Sequence, residues 1–257
     1  MLRKITIMIF LILTVVWFTN SDSIQPAREF IQNNIYVWSE MQEEKLPIYC
    51  VDTQKKQIAL TFDTAWGNED IPQILKILKQ ENVKATFFIL GSNVDSRKDV
   101  VKRMYEEGHY LANHGYSHTY SKIYSSPQSV LDEYNECNDK VKNAIEVPDY
   151  NSHLFRFPGG LAGGKYAEIK KEAKELLLQN NIVNVDWNAL TGDAETNNLS
   201  VEFEMTRLTE TMESKNSLVI LMHDAAAKSV TADALPQIIA KLKEEGYEFK
   251  NFYDIIK

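Results

Sequence analysis

The chain alternates between short apolar segments rich in β-forming residues and longer amphipathic segments with helical periodicity. From residue 56 onward this alternation occurs about six or seven times. When a helix separates two strands, the second strand usually joins the sheet parallel to the first, because the helix crosses back over the sheet. The alternation therefore predicts an α/β domain built on a parallel sheet, either open and doubly wound or closed into a barrel.

The period of the apolar residues locates the individual elements. The predicted strands are residues 57–62, 85–90, 109–112, 154–157, 182–186 and 217–222. The predicted helices are residues 70–80, 99–107, 126–144, 166–179, 201–213 and 232–245. No internal repeat or second linker interrupts residues 51–257, so we expect one domain there. No glycine-rich phosphate-binding motif follows the first strand, which argues against a nucleotide-binding fold.

Residues 1–23 differ in character from this domain. Two basic residues precede the apolar run Ile5–Thr19, and a polar exit follows it. A basic start, a short apolar stretch and a polar exit are typical of an export signal. Because no A-x-A cleavage pattern follows, an uncleaved signal-anchor is an alternative. Either one predicts an exported protein, secreted or held in the membrane through residues 5–19. Residues 24–50 are expected to link this segment to the domain.

The charge balance excludes one large class of partners. The chain carries 28 basic and 36 acidic residues, a formal net charge of -8, and no basic stripe. Nucleic-acid binding is therefore not expected, because it requires a basic patch on the surface. The two cysteines, Cys50 and Cys137, are far apart and form no CxxC motif. They are compatible with one disulfide in an oxidising compartment or with two separate thiols.

Reactive side chains follow the predicted strands near the points where the strands end. Parallel α/β folds collect their catalytic groups at these ends. Each such residue alone has an ordinary explanation, such as a helix cap, a salt bridge or a structural histidine. Their occurrence at five strand ends predicts an active site instead. These residues are Asp63, His114, His118, Arg156, Asp186, Asp193 and His223.

Two of these residues form a candidate metal site by their spacing. His114 and His118 are four positions apart, which on a helical turn would place both rings on one face. Neutral imidazoles are ligands for divalent metals, zinc above all. A polar loop that happens to hold two histidines is the alternative, and the pair alone does not decide between them.

Five short segments together resemble the motifs of a known family. The chain resembles the polysaccharide deacetylases of carbohydrate esterase family 4, which share the NodB homology domain. The resemblance spans about residues 45–257 in the family's motif order. It implies a distorted (β/α) barrel of about seven parallel strands. The five segments are 60–63 (LTFD), 114–118 (HGYSH), 156–160 (RFPGG), 187–193 (WNALTGD) and 221–223 (LMH).

The resemblance implies roles for the reactive residues. His114 and His118 would bind a divalent metal, with zinc expected and cobalt, manganese or nickel as alternatives. Asp63 would act as general base on the attacking water, and Arg156 would orient Asp63. His223 would act as general acid toward the leaving group. This division is chemically coherent, because amide hydrolysis requires a base for the water and a separate acid for the leaving nitrogen.

The remaining implied roles concern support and substrate contact. Asp193 would hold the ring of His223, although Asp186 could instead support the cleft. The Gly159 backbone N–H would help to stabilise the oxyanion. Trp187 and Leu221 would form the wall around the acetyl methyl group.

The chain departs from the family pattern at residue 64, a position that supplies a metal ligand in the family. The family's first motif usually has two acids and supplies a third metal ligand, whereas here Thr64 follows Asp63. Catalytic zinc sites normally have three protein ligands. Water or the Thr64 hydroxyl could fill the gap, another acid such as Asp70 could reach in, or the metal could be lost. Gly159 also stands where the third motif has an aromatic residue, and Gly115 occupies the second position of the histidine motif.

The expected function is metal-dependent hydrolysis of N-acetyl groups on cell-wall polysaccharide, such as peptidoglycan or a chitin-like polymer. Two alternatives remain. Thr64 is compatible with a carbohydrate-binding protein that has no turnover. The same five motifs also serve an O-acetyl esterase acting on xylan or a similar polymer.

Overall fold

The computed structural model describes residues 56–64, 70–224 and 229–252. The predicted export segment 1–23, the linker 24–50 and Cys50 lie outside these ranges. Within them, no helix has the length and apolar character needed to cross a membrane. Cys137 is buried, and its thiol donates to the Ile89 carbonyl at 3.2 Å.

The strands form one parallel sheet, which confirms the α/β prediction. Seven strands lie in the order β5-β4-β3-β2-β1-β7-β6, and β8 pairs with β1. The sheet curls into a half-barrel whose path ends at β5 and β6, so the predicted distorted barrel is confirmed. The strands are β1 Gln57–Thr64, β2 Thr86–Ile89, β3 Tyr110–Asn113, β4 Leu154–Phe155, β5 Val183–Asn184, β6 Ala189–Leu190, β7 Ser217–His223 and β8 Glu248–Phe249.

Helices connect these strands on the outside of the sheet. Six of them match the predicted helices to within about three residues. A short helix and a 3-10 segment, Gly91–Ser96, were not predicted. The helices are α1 Asp70–Gln80, α2 Lys98–Glu106, α3 Tyr120–Ile123, α4 Pro127–Ile145, α5 Ala167–Gln179, α6 Val201–Met212 and α7 Ser229–Glu244.

Helix α4 has the boundaries that its sequence signals indicate. The Ser126 side chain accepts a hydrogen bond from Ser129 N at 3.1 Å, and Pro127 follows as the first helical residue. A serine cap satisfies an N–H that the helix leaves unpaired, and proline has none to lose. The helix ends at Glu146, which has a left-handed φ of 60°. This long helix packs against the loop that carries the histidine pair.

β1 is the central strand and carries the first catalytic candidate. It is buried along its whole length and pairs with β2, β7 and β8. Leu60 and Phe62 belong to the large core under the helices, whereas Ala59 belongs to the core inside the curled sheet. Since side chains alternate along a strand, Asp63 lies on the inner face with Ala59. The carboxylate is thereby placed at the carboxyl end of the sheet's interior.

Candidate active site

Asp63 and His223 lie side by side on adjacent parallel strands. β1 and β7 pair so that Asp63 and His223 are register partners. Neighbouring strands are about 4.8 Å apart, and partner residues of a parallel pair point to the same face. The sheet therefore brings a carboxylate and an imidazole together from positions 160 residues apart in the chain.

On the other side of β1, beyond β2, strands β3 and β4 supply the next two groups. Asn113 of β3 pairs with Phe155 of β4, so His114 and Arg156 follow at matching positions. The Arg156 guanidinium reaches across to Asp63, where Nη1 donates to Oδ1 at 2.7 Å. The His114 Nε2 lies 3.6 Å from the other oxygen of the same carboxylate.

Arg156 is fully buried, and its guanidinium makes several hydrogen bonds. Besides Asp63 it donates to the Thr61 hydroxyl at 2.9 Å, the Val185 carbonyl at 3.0 Å and the Asp186 carbonyl at 2.8 Å. Burial raises the pKa of Asp63, but the positive charge of Arg156 leaves that pKa below its ordinary value. Asp63 is therefore ionised at neutral pH, as a general base must be.

The surroundings of His114 keep its ring neutral. Burial lowers the pKa of His114 to about 4, despite the nearby charge of Asp63. Its Nδ1 lies 2.9 Å from the Arg156 carbonyl oxygen, which can only accept a hydrogen bond. Nδ1 therefore carries the proton, and Nε2 has a free lone pair directed toward Asp63. This tautomer is the one a metal ligand requires.

The two histidines approach each other from a loop and not from a helical turn. Gly115 and His118 have left-handed φ values of 82° and 53°, which no helix contains. The ring centroids of His114 and His118 are nevertheless 5.4 Å apart. The buried carboxylate of Glu133 holds this loop by accepting from Tyr116 N at 3.0 Å, from Ser117 N at 2.9 Å and from the Ser117 hydroxyl.

Glu133 was missed by sequence reasoning. It lies on the inner face of α4, where an acidic residue at an apolar position was a signal that could have been used.

Thr64 uses its hydroxyl for a hydrogen bond within the protein. Its buried hydroxyl donates to the Phe88 carbonyl at 2.8 Å. Among the residues the structure describes, no three His, Cys, Asp or Glu side chains are grouped to hold a metal ion. The two neutral imidazoles fit a divalent cation with two protein nitrogens, leaving the other positions to water and substrate. The side chain of Asp70 lies outside the described part, so its predicted alternative role is untested.

The His223 ring is held by one carboxylate. Its Nδ1 lies 2.9 Å from Asp193 Oδ1, and its backbone N–H donates to Oδ2 of the same residue. The Thr231 hydroxyl also lies 3.4 Å from Oδ2. Burial lowers the pKa of His223, but the hydrogen bond and charge of Asp193, with Asp63 beyond, leave it above its ordinary value. Nδ1 is committed to Asp193, so Nε2 is the atom that can deliver a proton to substrate.

The glycine turn after β4 is fixed at several points. Gly159 has a left-handed φ of 75°, and its N–H donates to no acceptor within the described residues. The Tyr124 hydroxyl donates to the Pro158 carbonyl at 2.6 Å. Lys170 Nζ donates to the Gly160 carbonyl at 2.6 Å, and Asp186 Oδ2 accepts from Leu161 N at 2.9 Å. Asp186 thus supports this turn, whereas Asp193 contacts His223.

Tyr124 and Lys170 were not predicted as supports of the site. Tyr124 directly follows α3 and Lys170 lies in α5, both outside the five motifs, so nothing in the spacing pointed to them.

The two predicted wall residues lie on different elements of the site. The Trp187 ring packs 3.0 Å from the position of a Cβ on Gly160, and the Arg156 guanidinium carbon is 5.7 Å from its centroid. Leu221 is buried in β7, paired with Thr61 of β1. The structure thereby places Trp187 beside the glycine turn and Leu221 two residues before His223.

A curled parallel sheet with an ionised carboxylate and an imidazole on adjacent strand ends has the groups that acid–base hydrolysis requires. The family model for polysaccharide deacetylase matches residues 51–179, and the chain belongs to this family.

The chain is 32% identical over 204 residues to a peptidoglycan-N-acetylglucosamine deacetylase of Bacillus cereus. The alignment covers 78% of this chain and 71% of that protein. Across four curated relatives of this chain, the aligned segment covers 66% to 78% of the relative's length. Each relative therefore has further residues outside the alignment.

Solved structures share the fold. A Streptococcus mutans CE4 esterase superposes with a TM-score of 0.71 at 32% identity, covering 77% of this chain and 87% of that one. A CE4 family pseudoenzyme from Bacillus anthracis superposes with a TM-score of 0.67 at 28% identity, covering 82% and 69%. The family thus includes similar folds described as an esterase and as a pseudoenzyme.

Proposed function

We propose that this chain hydrolyses N-acetyl groups of a cell-wall polysaccharide, with N-acetylglucosamine units of peptidoglycan as the substrate. The observation that carries the proposal is the register of Asp63 with His223, which puts a carboxylate whose pKa is lowered beside an imidazole whose pKa is raised. The similarity to a peptidoglycan-N-acetylglucosamine deacetylase supports the substrate class.

Asp63 is the general base of the proposed reaction. Oδ1 is occupied by Arg156, whereas Oδ2 faces His114 at 3.6 Å. Oδ2 is therefore the atom that accepts a proton from the attacking water. Arg156 keeps this carboxylate ionised and fixes its orientation, so that no rotation is needed before proton transfer.

His114 and His118 would hold the divalent metal. When bound, such a cation polarises the acetyl carbonyl and lowers the pKa of water. The chain's own contribution is to keep the two imidazoles neutral and close together. The Arg156 carbonyl sets the tautomer of His114, and burial lowers the pKa of both rings.

His223 is the general acid that protonates the departing sugar nitrogen. Asp193 holds the ring through Nδ1 and favours its charged form. The proton on Nε2 then moves to the nitrogen as the C–N bond breaks, leaving acetate and a free amine. The Gly159 N–H donates to the acyl oxygen while it carries negative charge.

The test of the proposed activity measures the release of acetate from an acetylated glycan. The purified chain is incubated with peptidoglycan or N-acetylglucosamine oligomers, with zinc or cobalt added or removed by chelation. We expect acetate release that requires the metal and leaves a glucosamine product visible by mass spectrometry. Failure to release acetate from every acetylated glycan, with or without metal, would refute the proposed activity.

The pH dependence of kcat/KM should change when Asp193 is replaced. Replacing Asp193 by Asn removes the hydrogen-bonded charge that keeps the pKa of His223 above its ordinary value, while Asp63 and Arg156 remain near the ring. The protonated acid is then lost at lower pH, so the alkaline limb of kcat/KM should move to lower pH. An alkaline limb that coincides with that of the unmodified chain would argue against His223 as the acid.

We also propose that the chain acts outside the cytoplasm. The basic and apolar pattern of residues 1–23 and the cell-wall substrate support an exported protein, secreted or anchored through residues 5–19. This location is tested by adding protease to intact cells and measuring whether the domain is cleaved. Protection from added protease would contradict it.

A second candidate is a glycan-binding protein without turnover. It is favoured by Thr64, whose hydroxyl is committed to the Phe88 carbonyl, and by the similarity to a pseudoenzyme. Glycan binding that persists in a chain releasing no acetate would support it. The third candidate, an O-acetyl esterase, is favoured by the similarity to a CE4 esterase, and an acetylated xylan in the substrate panel separates it.

Thr64→Asp should strengthen the metal site. The added carboxylate provides a third protein ligand next to the two histidines, so we expect zinc affinity to rise by about tenfold or more in calorimetry. Thr64→Val is the matched control, because it removes the hydroxyl without adding a ligand. Zinc affinity that is the same in Thr64→Asp and the unmodified chain would count against a two-histidine site.

A further inference from the structure

Tyr120 is a large aromatic side chain exposed at the edge of the candidate site. It is 40% exposed, and only Leu178 resembles it among the large hydrophobic side chains of the described residues. Tyr120 begins α3, two residues after His118, and the two ring centroids are 5.7 Å apart. None of the five motifs accounts for an aromatic residue at this position.

The ring of Tyr120 fills the space above the glycine turn. A Cβ added at Gly159 would overlap the Tyr120 hydroxyl and lie 3.2 Å from Cζ. Tyr120 therefore lies between the histidine loop and Gly159, the residue whose N–H is proposed to contact the oxyanion. The glycine is needed both for its left-handed φ and for this close approach.

The position of Tyr120 is fixed by a second ring. Tyr124 packs edge-on against it with centroids 5.6 Å apart, and the Tyr124 hydroxyl is held by the Pro158 carbonyl. The Tyr120 hydroxyl itself makes no hydrogen bond within the described residues. The site thus contains a positioned hydroxyl that has no acceptor among the residues that the structure describes.

We propose that Tyr120 contacts the substrate directly, with its hydroxyl donating to the acyl oxygen beside the Gly159 N–H and its ring packing on the sugar. This inference rests on the proposed deacetylase function. An aromatic ring suits a sugar face because its apolar C–H groups pack on it, while the hydroxyl supplies a polar contact. A donor aimed at developing negative charge acts mainly in the transition state.

Tyr120→Phe separates the hydroxyl from the ring. We expect kcat on an N-acetylglucosamine tetramer to fall by about 10²-fold with little change in KM, because the lost bond forms in the transition state. Tyr120→Ala should also raise KM, since the ring is lost. Leu178→Ala, the other exposed apolar side chain, serves as a control and should leave both constants unchanged. Unchanged kcat in Tyr120→Phe, or a rise in KM alone, would overturn the donor role.

A binding measurement keeps this inference distinct from the proposed activity. If the unmodified chain releases no acetate, the proposed function fails, and calorimetry with the same tetramer tests the contact. Weaker binding by Tyr120→Ala than by the unmodified chain and Leu178→Ala would support it, and equal binding would overturn it. Thermal unfolding of each variant verifies that the fold is retained.

Discussion

We expect Arg156→Met to lower the free energy of unfolding by about 3–5 kcal/mol, the range typical of removing one member of a buried ion pair. Arg156 is fully buried, and its loss leaves the Asp63 carboxylate without its main positive partner. The carbonyls of Val185 and Asp186 lose a donor as well. Urea unfolding of the purified chain measures this change.

Two further variants test the explanation. Arg156→Lys keeps the charge but cannot reproduce four directed hydrogen bonds, so we expect an intermediate loss. Arg207→Met removes an arginine whose ion pairs with Glu195 and Glu210 lie at the surface, and it should destabilise far less. If Arg156→Met were as stable as Arg207→Met, the buried pair would not organise the site as described.

Asp63→Asn should reduce deacetylation by about 10²- to 10⁴-fold, the contribution typical of a general base. An amide of similar shape occupies the same place beside Arg156 and His114 but cannot accept a proton from water. The loss should therefore appear mainly in kcat, measured by acetate release under saturating glycan.

The control for this substitution is a carboxylate elsewhere on the surface. Asp95 pairs with Lys98 and Lys140 outside the site, and Asp95→Asn should leave kcat unchanged. Glycan binding by Asp63→Asn should persist, which shows that the cleft is intact. A variant Asp63→Asn that retains full turnover would exclude this carboxylate as the base.

The long elements were predictable because their signals are local. The apolar period of α4 spans five turns and has a serine cap, and β1 is an unbroken β-forming run. β6 and β8 contain two residues each, too few for any period to show. Their existence depends on pairing with β7 and β1, which are distant in the chain.

The candidate site was predictable as a set of residues but not as an arrangement. Asp63, His114, Arg156 and His223 stood out because they follow apolar strands. The supports were not visible in the same way: Glu133 holds the histidine loop through contacts made only after folding. The spacing of the histidine pair left a helical turn and a loop open, because spacing alone does not reveal the left-handed backbone at His118.

The amino-acid sequence by itself determined the parallel α/β class, the strand-end positions of the reactive residues and the absence of a second acid after Asp63. These are properties of residue type and local order, which need no knowledge of distant neighbours. Only the tertiary structure decided that Asp63 is register partner to His223, that Arg156 is buried against it and that Tyr120 lies over Gly159. The charge state of a side chain and its contacts depend on which other groups are buried beside it in a low-dielectric environment. Only folding determines which groups these are.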